Sequence, residues 1–409
     1  MLGSGARMAD VTTNLSFAPV LPSDPPRAAY LHVPFCAHRC GYCNFTLVAG
    51  RDDLIDSYVK AIGLELASLG EPRPVDTLFF GGGTPTRLPL DQLRKLIDAA
   101  RHWLPQPADG EFSIEANPAD LTDAGLAQLA ELGVTRISLG GQSFDPAKLR
   151  LLERDHSPEQ LTTAVRRAKR HIRSVSVDLI FGVPGESLAV WQRDVESLLA
   201  LDPDHVSTYG LTFERGTSFW SRLLHGQLAR LEEDLEATMY AAAIDMLTAA
   251  GFEHYEVSNF ARPGHRCRHN EIYWAGGGYF AAGPGAARFV GGRREMNHRS
   301  TTTWLRRLLA GGSAVAESET LLPADRAREL LVFALRRLAG VERQSFARVS
   351  GFDIDRLAGA ELAELARLGL MQVEAAGVRL TRAGLFVSDA IWPRLLQGGS
   401  RAKPAQPTV

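Results

Sequence analysis

Six short runs of β-branched and aromatic residues, each followed by a stretch of helical periodicity, constrain the fold of this chain most. The runs are Ala28–Val33, Val75–Phe80, Phe112–Glu115, Arg136–Leu139, Ser174–Ile180 and His205–Leu211. Between 53 and 69, Leu54, Ile55, Tyr58, Val59, Ile62, Leu66 and Leu69 recur on one side of a helical period of about 3.6 residues. Comparable stretches cover 89–104, 121–132, 158–170, 188–201 and 233–250. A helix between two strands returns the chain to the same edge of the sheet, so alternation predicts parallel strands with helices outside. Six such units predict an α/β fold, a partial (β/α)6 TIM-like barrel; a doubly wound open sheet is the alternative.

Parallel strands in a barrel all end on one face, which is where such folds carry their sites. The first strand runs into a loop with Cys36, Cys40 and Cys43, and the second into Gly81-Gly82-Gly83-Thr84-Pro85-Thr86. The third ends in Glu115-Ala116-Asn117-Pro118, the fourth in Gly140-Gly141-Gln142-Ser143, and the fifth carries Asp178 ahead of Gly182-Val183-Pro184-Gly185. One mouth therefore collects three thiols, a glycine loop, two carboxylates and an amide. Taken singly, the glycines are turn formers and the acids are helix caps or ion-pair members. Glycines beside a metal cluster also let backbone groups approach a ligand.

The thiols have C-x3-C-x2-C spacing. Three thiolates can hold three irons of a [4Fe-4S] cube and leave the fourth iron open. A zinc knuckle completed by His38 and three unrelated buried thiols are the other readings. The spacing resembles the signature of the radical S-adenosylmethionine (SAM) superfamily. On that reading Glu115, Asp178 and Gln142 pair with the ammonium and ribose hydroxyls of SAM, and Arg154 reaches its carboxylate through a planar fork.

With 409 residues and 45% hydrophobic content the chain has ample core for two domains. A net charge of −2 supplies no general attraction to nucleic acid or to an anionic membrane. Only four cysteines occur, three of them within eight residues, which argues for a reducing compartment and hence the cytoplasm. No run reaches the ~18 apolar residues of a membrane span. Residues 1–27 lack the apolar core of a signal peptide and are expected to be a disordered lead.

Further motifs narrow the family. Tyr30-x-His32-x-Pro34-Phe35-Cys36, Gly81 to Thr86, Glu115 to Pro118, Gly141-Gln142-Ser143-Phe144 and Asp178-Leu179-Ile180-Phe181-Gly182 resemble the oxygen-independent coproporphyrinogen III oxidase superfamily from about Ala28 to Leu396. Within it the chain is most similar to the HemW-like heme chaperones. The oxidase motif continues with a cysteine two positions past the third, where this chain has Phe45, as chaperone-type members do. Their His-Asn-x-x-Tyr-Trp motif is matched by His269 to Trp274. The resemblance implies a [4Fe-4S] cluster on Cys36, Cys40 and Cys43. It implies SAM contacts at Tyr30, Tyr42, Gly82, Gly83, Thr84, Glu115, Gln142, Arg154 and Asp178.

The resemblance also implies a protein that binds heme and delivers it to an acceptor hemoprotein, such as a membrane-bound respiratory enzyme. A coproporphyrinogen-decarboxylating enzyme and an iron–sulfur interaction module are the alternatives. Among eleven histidines, His269 is the candidate heme ligand, with Tyr273 and Trp274 beside it. The barrel is expected over 28–290. Its Gly- and aromatic-rich stretch 255–290 reads as a long loop near the mouth, suited to a lid. A linker is expected over 291–320 and a winged-helix-like domain over 321–396, followed by a flexible tail over 397–409. Acids nearly balance bases in 321–396, so the footprint of a DNA-binding winged helix is missing.

Overall fold

A computed structural model describes residues 25–397. Most of the expected lead and all but the first residue of the tail lie outside the described residues. The six predicted runs form strands β1 (Ala28–Val33), β2 (Thr77–Gly82), β3 (Glu111–Ala116), β4 (Arg136–Gln142), β5 (Ser174–Phe181) and β6 (His205–Gly210). Helices α1 (Ile55–Ala67), α2 (Leu90–Trp103), α3 (Asp123–Glu131), α4 (Pro158–His171), α5 (Leu188–Leu199) and α6 (Glu233–Ala249) follow them in turn. The strands lie side by side in chain order, all parallel. Strands covered on both faces need continuous apolar runs. Leu31, Leu78, Phe80, Ile114, Ile137, Leu139, Val175, Val177 and Val206 are accordingly shut off from solvent. Local signals fix the helix starts: α4 opens with Pro158 and a Ser157–Gln160 capping box, and Ser187 caps α5.

Two expectations are corrected downstream. The stretch 255–290 is not a long loop, and 291–320 is not a linker. They contain β7 (Glu253–Glu256), β8 (Asn259–Ala261), helix α7 (Arg268–Trp274), β9 (Tyr279–Ala282), β10 (Ala287–Val290), β11 (Arg293–Asn297), helix α8 (Thr301–Leu309) and β12 (Val315–Thr320). These strands extend the sheet to twelve in the order β12-β11-β10-β9-β1-β2-β3-β4-β5-β6-β8-β7. Strand β9 is a seventh parallel strand, beside β1. Most of these strands are runs of only three to five residues, several set apart by glycines, and so short a run carries little periodicity.

Glu65 shows what binds this second half to the first. It sits on α1, 4% exposed, and accepts hydrogen bonds from Gly283 N at 2.9 Å, Asn297 Nδ2 at 2.6 Å and Trp304 Nε1 at 3.1 Å. Three separate segments thus converge on one buried carboxylate.

The C-terminal part runs α9 (Pro323–Arg336), β13 (Val341–Glu342), α10 (Arg343–Ser350), α11 (Ile354–Arg367), β14 (Met371–Val373) and β15 (Gly377–Leu380), then two short helices. Its three strands form an antiparallel sheet in the order β13-β15-β14, the helix–strand–helix–helix–hairpin order of a winged helix. It has its own core around Leu331, Leu335, Leu362, Leu365 and Leu395. It also packs on the barrel through α9 and α7, with Leu330 against Gly276.

Removing the hub carboxylate should therefore be costly. Glu65→Ala leaves three buried donors unpaired and is expected to destabilise the fold by on the order of 3 kcal/mol or more, read as a lower urea midpoint. Glu65→Gln, which keeps an acceptor in place, should lose less.

Candidate functional site

At Val33, β1 passes the chain to the cysteine loop. Phe35–Cys36 pairs in parallel with Val48–Ala49 and closes that loop on itself. Side chains from β1, from the loop itself and from the distant Arg299 hold it. His32 Nε2 lies 2.6 Å from Thr46 O, Arg299 Nη2 donates to Asn44 O at 3.0 Å, and Arg39 Nη2 donates to Leu47 O at 3.0 Å. Burial lowers the His32 pKa to about 4, so the ring is neutral. One tautomer satisfies both nitrogens: Nε2–H donates to Thr46 O while Nδ1 accepts from Tyr30 OH at 3.1 Å.

The glycine loop lies directly against the cysteine loop. Gly83 N donates to Val33 O at 2.8 Å and Thr84 N to Phe35 O at 2.7 Å. Gly82 has φ 112°, and a Cβ there would stand 2.4 Å from the His32 ring; one on Gly83 would stand 2.7 Å from Phe35 O. Neither position accepts a side chain. Thr84 Oγ1 is 3.6 Å from Cys36 Sγ.

Cys36, Cys40, Cys43, Tyr42, Gly82, Gly83, Thr84, Glu115, Gln142, Arg154 and Asp178 line one chamber of about 760 Å³ at the strand ends. Its electrostatics are polarised. Glu115 accepts from Gly82 N at 2.9 Å, and burial, reinforced by the Asp178 charge, raises its pKa to about 7. Ser138 Oγ donates to both oxygens of Asp178 at 3.1 Å, and burial raises that carboxyl to about 6. Arg154 donates to Gly140 O at 2.9 Å, has Nη1 3.6 Å from Cys40 Sγ, and leaves its buried Nε without a partner. Two carboxylates and a guanidinium with a spare N–H suit a zwitterion that also carries hydroxyls.

The three thiols face one chamber, as the ligands of one cluster must. Among the described residues, no three His, Cys, Asp or Glu side chains converge closely enough to hold one metal ion between them. His38, the fourth ligand of the zinc alternative, has Nε2 2.5 Å from Glu153 O and 3.6 Å from Cys40 Sγ. A cube needs only one thiolate per iron. Burial raises Cys36 to about 11 and raises Cys40 and Cys43 as well, so without metal all three are neutral thiols. Bound iron would be needed to hold them deprotonated.

Two expected residues lie elsewhere. Tyr30 does not reach the thiol chamber. Its ring stacks on Phe79 at 6.0 Å, and it lines a second cavity of about 430 Å³. His269 lines the same cavity, 1% exposed, with Nδ1 2.9 Å from Thr77 Oγ1 and Nε2 2.9 Å from Tyr273 OH. Both ring nitrogens are thus engaged, and burial lowers the pKa to about 3. The expected heme ligand thus lies on the wall of this second cavity, with its ring nitrogens held by two hydroxyls. Cys267 is buried against Glu111, which also accepts from Arg268 N and His269 N at the start of α7. Glu115 alone among these residues faces both cavities.

Sequence reasoning missed Ser138, Asn117 and Arg299, all on the chamber wall. Ser138 was findable as the neighbour of Asp178 once β4 and β5 are paired. Arg299 had no signal, because it arrives from the segment read as a linker. A support below Gln142 was missed too. Asp194 accepts from Ser143 Oγ, Phe144 N at 2.6 Å and Lys148 Nζ at 2.9 Å, all buried behind the turn where Gln142 holds φ 64°.

The sequence model of the radical SAM superfamily matches residues 30–198, and that of the HemN C-terminal domain matches 321–387. The chain is 34% identical over 376 residues to the heme chaperone HemW of Bacillus subtilis (strain 168), covering 90% of this chain and 99% of that protein. It is 37% identical over 382 residues to the heme chaperone HemW of Mycobacterium tuberculosis (strain ATCC 25618 / H37Rv), covering 91% and 95%. Among solved structures, coproporphyrinogen III oxidase (HemN) from Escherichia coli superposes with a TM-score of 0.81 at 22% identity, covering 92% of this chain and 91% of that one. That likeness establishes the shared fold.

The raised carboxyl has a measurable consequence. Folded Glu115 keeps its proton to about pH 7 while its ordinary value is 4.5, so the folded state binds more protons between those limits and stability falls as pH rises through them. Cofactor-free protein should lose on the order of 2–3 kcal/mol more than Glu115→Gln between about pH 5 and 7.5 in urea unfolding.

Proposed function

Since the chain belongs to the HemW heme chaperone family, within the radical SAM superfamily, we propose that it binds heme and passes it to acceptor hemoproteins. Near-complete coverage of chaperone relatives at 34–37% identity is the observation that carries this reading. Phe45 supports it independently. It stands where the oxidase motif has a further cysteine, and it lies 61% exposed on the wall of the thiol chamber. The resemblance to the oxidase structure, at 22% identity, concerns fold and favours no decarboxylation.

In this reading Cys36, Cys40 and Cys43 hold a [4Fe-4S] cluster, and SAM occupies the rest of the chamber. Glu115 and Asp178 accept hydrogen bonds from its ammonium and ribose hydroxyls, Gln142 adds an amide, and Arg154 takes its carboxylate. Gly82, Gly83 and Thr84 bring the backbone close, and Tyr42 packs beside Arg154. When bound, the cluster supplies one electron at a time, which suits either SAM reduction or redox sensing. For a chaperone, the protein's own residues serve to hold SAM and shield the cluster while heme is carried elsewhere. The acceptor we favour is a respiratory hemoprotein at the membrane, reached from the cytoplasm; among the described residues no helix is long and apolar enough to cross a bilayer.

Anaerobic reconstitution followed by heme loading tests this reading. Heme should move from the loaded protein to an apo-hemoprotein, seen as a Soret shift, and coproporphyrinogen III should yield no vinyl-bearing product. Formation of that product would overturn the chaperone reading in favour of the oxidase. Replacing Cys36, Cys40 and Cys43 together by Ala should abolish cluster absorbance and bound iron while the protein still takes up heme.

A further inference from the structure

The second cavity is built unlike the first. Its wall includes Tyr273, Trp274, Tyr279, Phe289 and Phe333, drawn from α7, β9, β10 and α9, with few charged side chains among them. Glu115 marks the end shared with the thiol chamber, and Arg294 and Arg326 also line it. A volume of about 430 Å³ lies within the roughly 300–1,000 Å³ usual for small-molecule sites. Four of these aromatic side chains, Tyr273, Trp274, Tyr279 and Phe333, keep some exposure, while Phe289 is buried.

The basic end has unspent donors. Arg294 and Arg326 share one carboxylate, Glu329, which accepts from Arg294 Nη2 at 2.6 Å and from Arg326 Nη1. Arg326 also donates to Gly276 O at 2.7 Å, so only two of its five N–H groups are used, and its Nε has no partner. Trp274 Nε1 is likewise buried and unpartnered. Burial and the Arg294 charge lower the Arg326 pKa, which a further anion nearby would offset. Arg326 lies over the Phe289 ring at 4.3 Å, so a planar group entering here meets a guanidinium and an aromatic face together.

We propose that this cavity is the heme site, taking the macrocycle among its aromatic side chains with Arg326 and Arg294 binding the carboxylate side chains. The assignment rests on the heme-binding reading and specifies where that binding occurs. Heme is planar, apolar over its faces and anionic along one edge, which matches aromatic walls closed by arginines. The opposite edge then points toward Glu115 and the thiol chamber. His269 serves the site by holding Tyr273 in place, without touching iron.

The test uses cluster-loaded protein titrated with heme and with heme dimethyl ester, whose carboxylates are capped, and followed by absorbance. Free-acid heme should bind about tenfold more tightly than the ester, and Arg326→Gln should bring the two together. Ala287→Trp, which fills the cavity from β10 without removing a hydrogen bond, should weaken heme binding at least about tenfold while bound iron and SAM affinity hold. Equal affinity of the wild type for acid and ester would overturn the assignment and leave the chaperone reading standing, as would unchanged heme binding by Ala287→Trp. Failure of the wild-type protein to bind heme at all would remove the chaperone reading and this assignment with it.

Discussion

The parallel pairing of β1 with β2 is the constraint on which the mouth of this barrel depends. Its register places His32 opposite Gly81 and Val33 opposite Gly82, so the cysteine loop and the glycine loop leave the sheet side by side. Gly82 then lies under the His32 ring, and Gly83 lies against Phe35 O, with no room for a side chain at either. A slip of one residue would turn each of these residues to the other face and separate the thiols from the backbone they adjoin. The apolar strand interiors hold that register, and the polar chemistry is confined to the strand ends.

Two chambers meet at one carboxylate. The first is polar and polarised, with three thiols, two raised carboxyls and Arg154. The second is aromatic, with two arginines. Glu115 forms part of both walls while bonded to Gly82 N, so its protonation and its pose are shared by whatever fills either space. Coupling between two ligands would need no moving domain here, only different interactions of each with the same side chain.

The repeating half of the fold was legible because each strand and helix carries its own signal: apolar runs for β1 to β6, a 3.6-residue stripe for α1, a capping box for α4. The cysteines and most of the strand-end residues were legible for the same reason, as the fold class dictates where strand ends meet. What the sequence hid depends on long-range pairing. Strands β9 to β12 are short and partly exposed, and they join the sheet through β1, some 250 residues earlier in the chain. Tyr30 alternates with its neighbours along β1, which places its ring in the barrel interior beside Phe79. His269 read as a ligand from its imidazole and the Tyr273 and Trp274 beside it, whereas its contact with Thr77 can be known only once α7 is set against β2.

Helix α9 belongs by sequence to the C-terminal domain, yet it contributes Arg326 and Phe333 to a cavity otherwise built from the barrel. Gly276 admits Leu330 of the same helix, and Val257 N donates to Arg336 O at 3.1 Å. The C-terminal unit is thus not an appendage that could be traded between relatives like a cassette. Lineages that alter the lining on one side must co-adapt the other, so inheritance should keep the two units together.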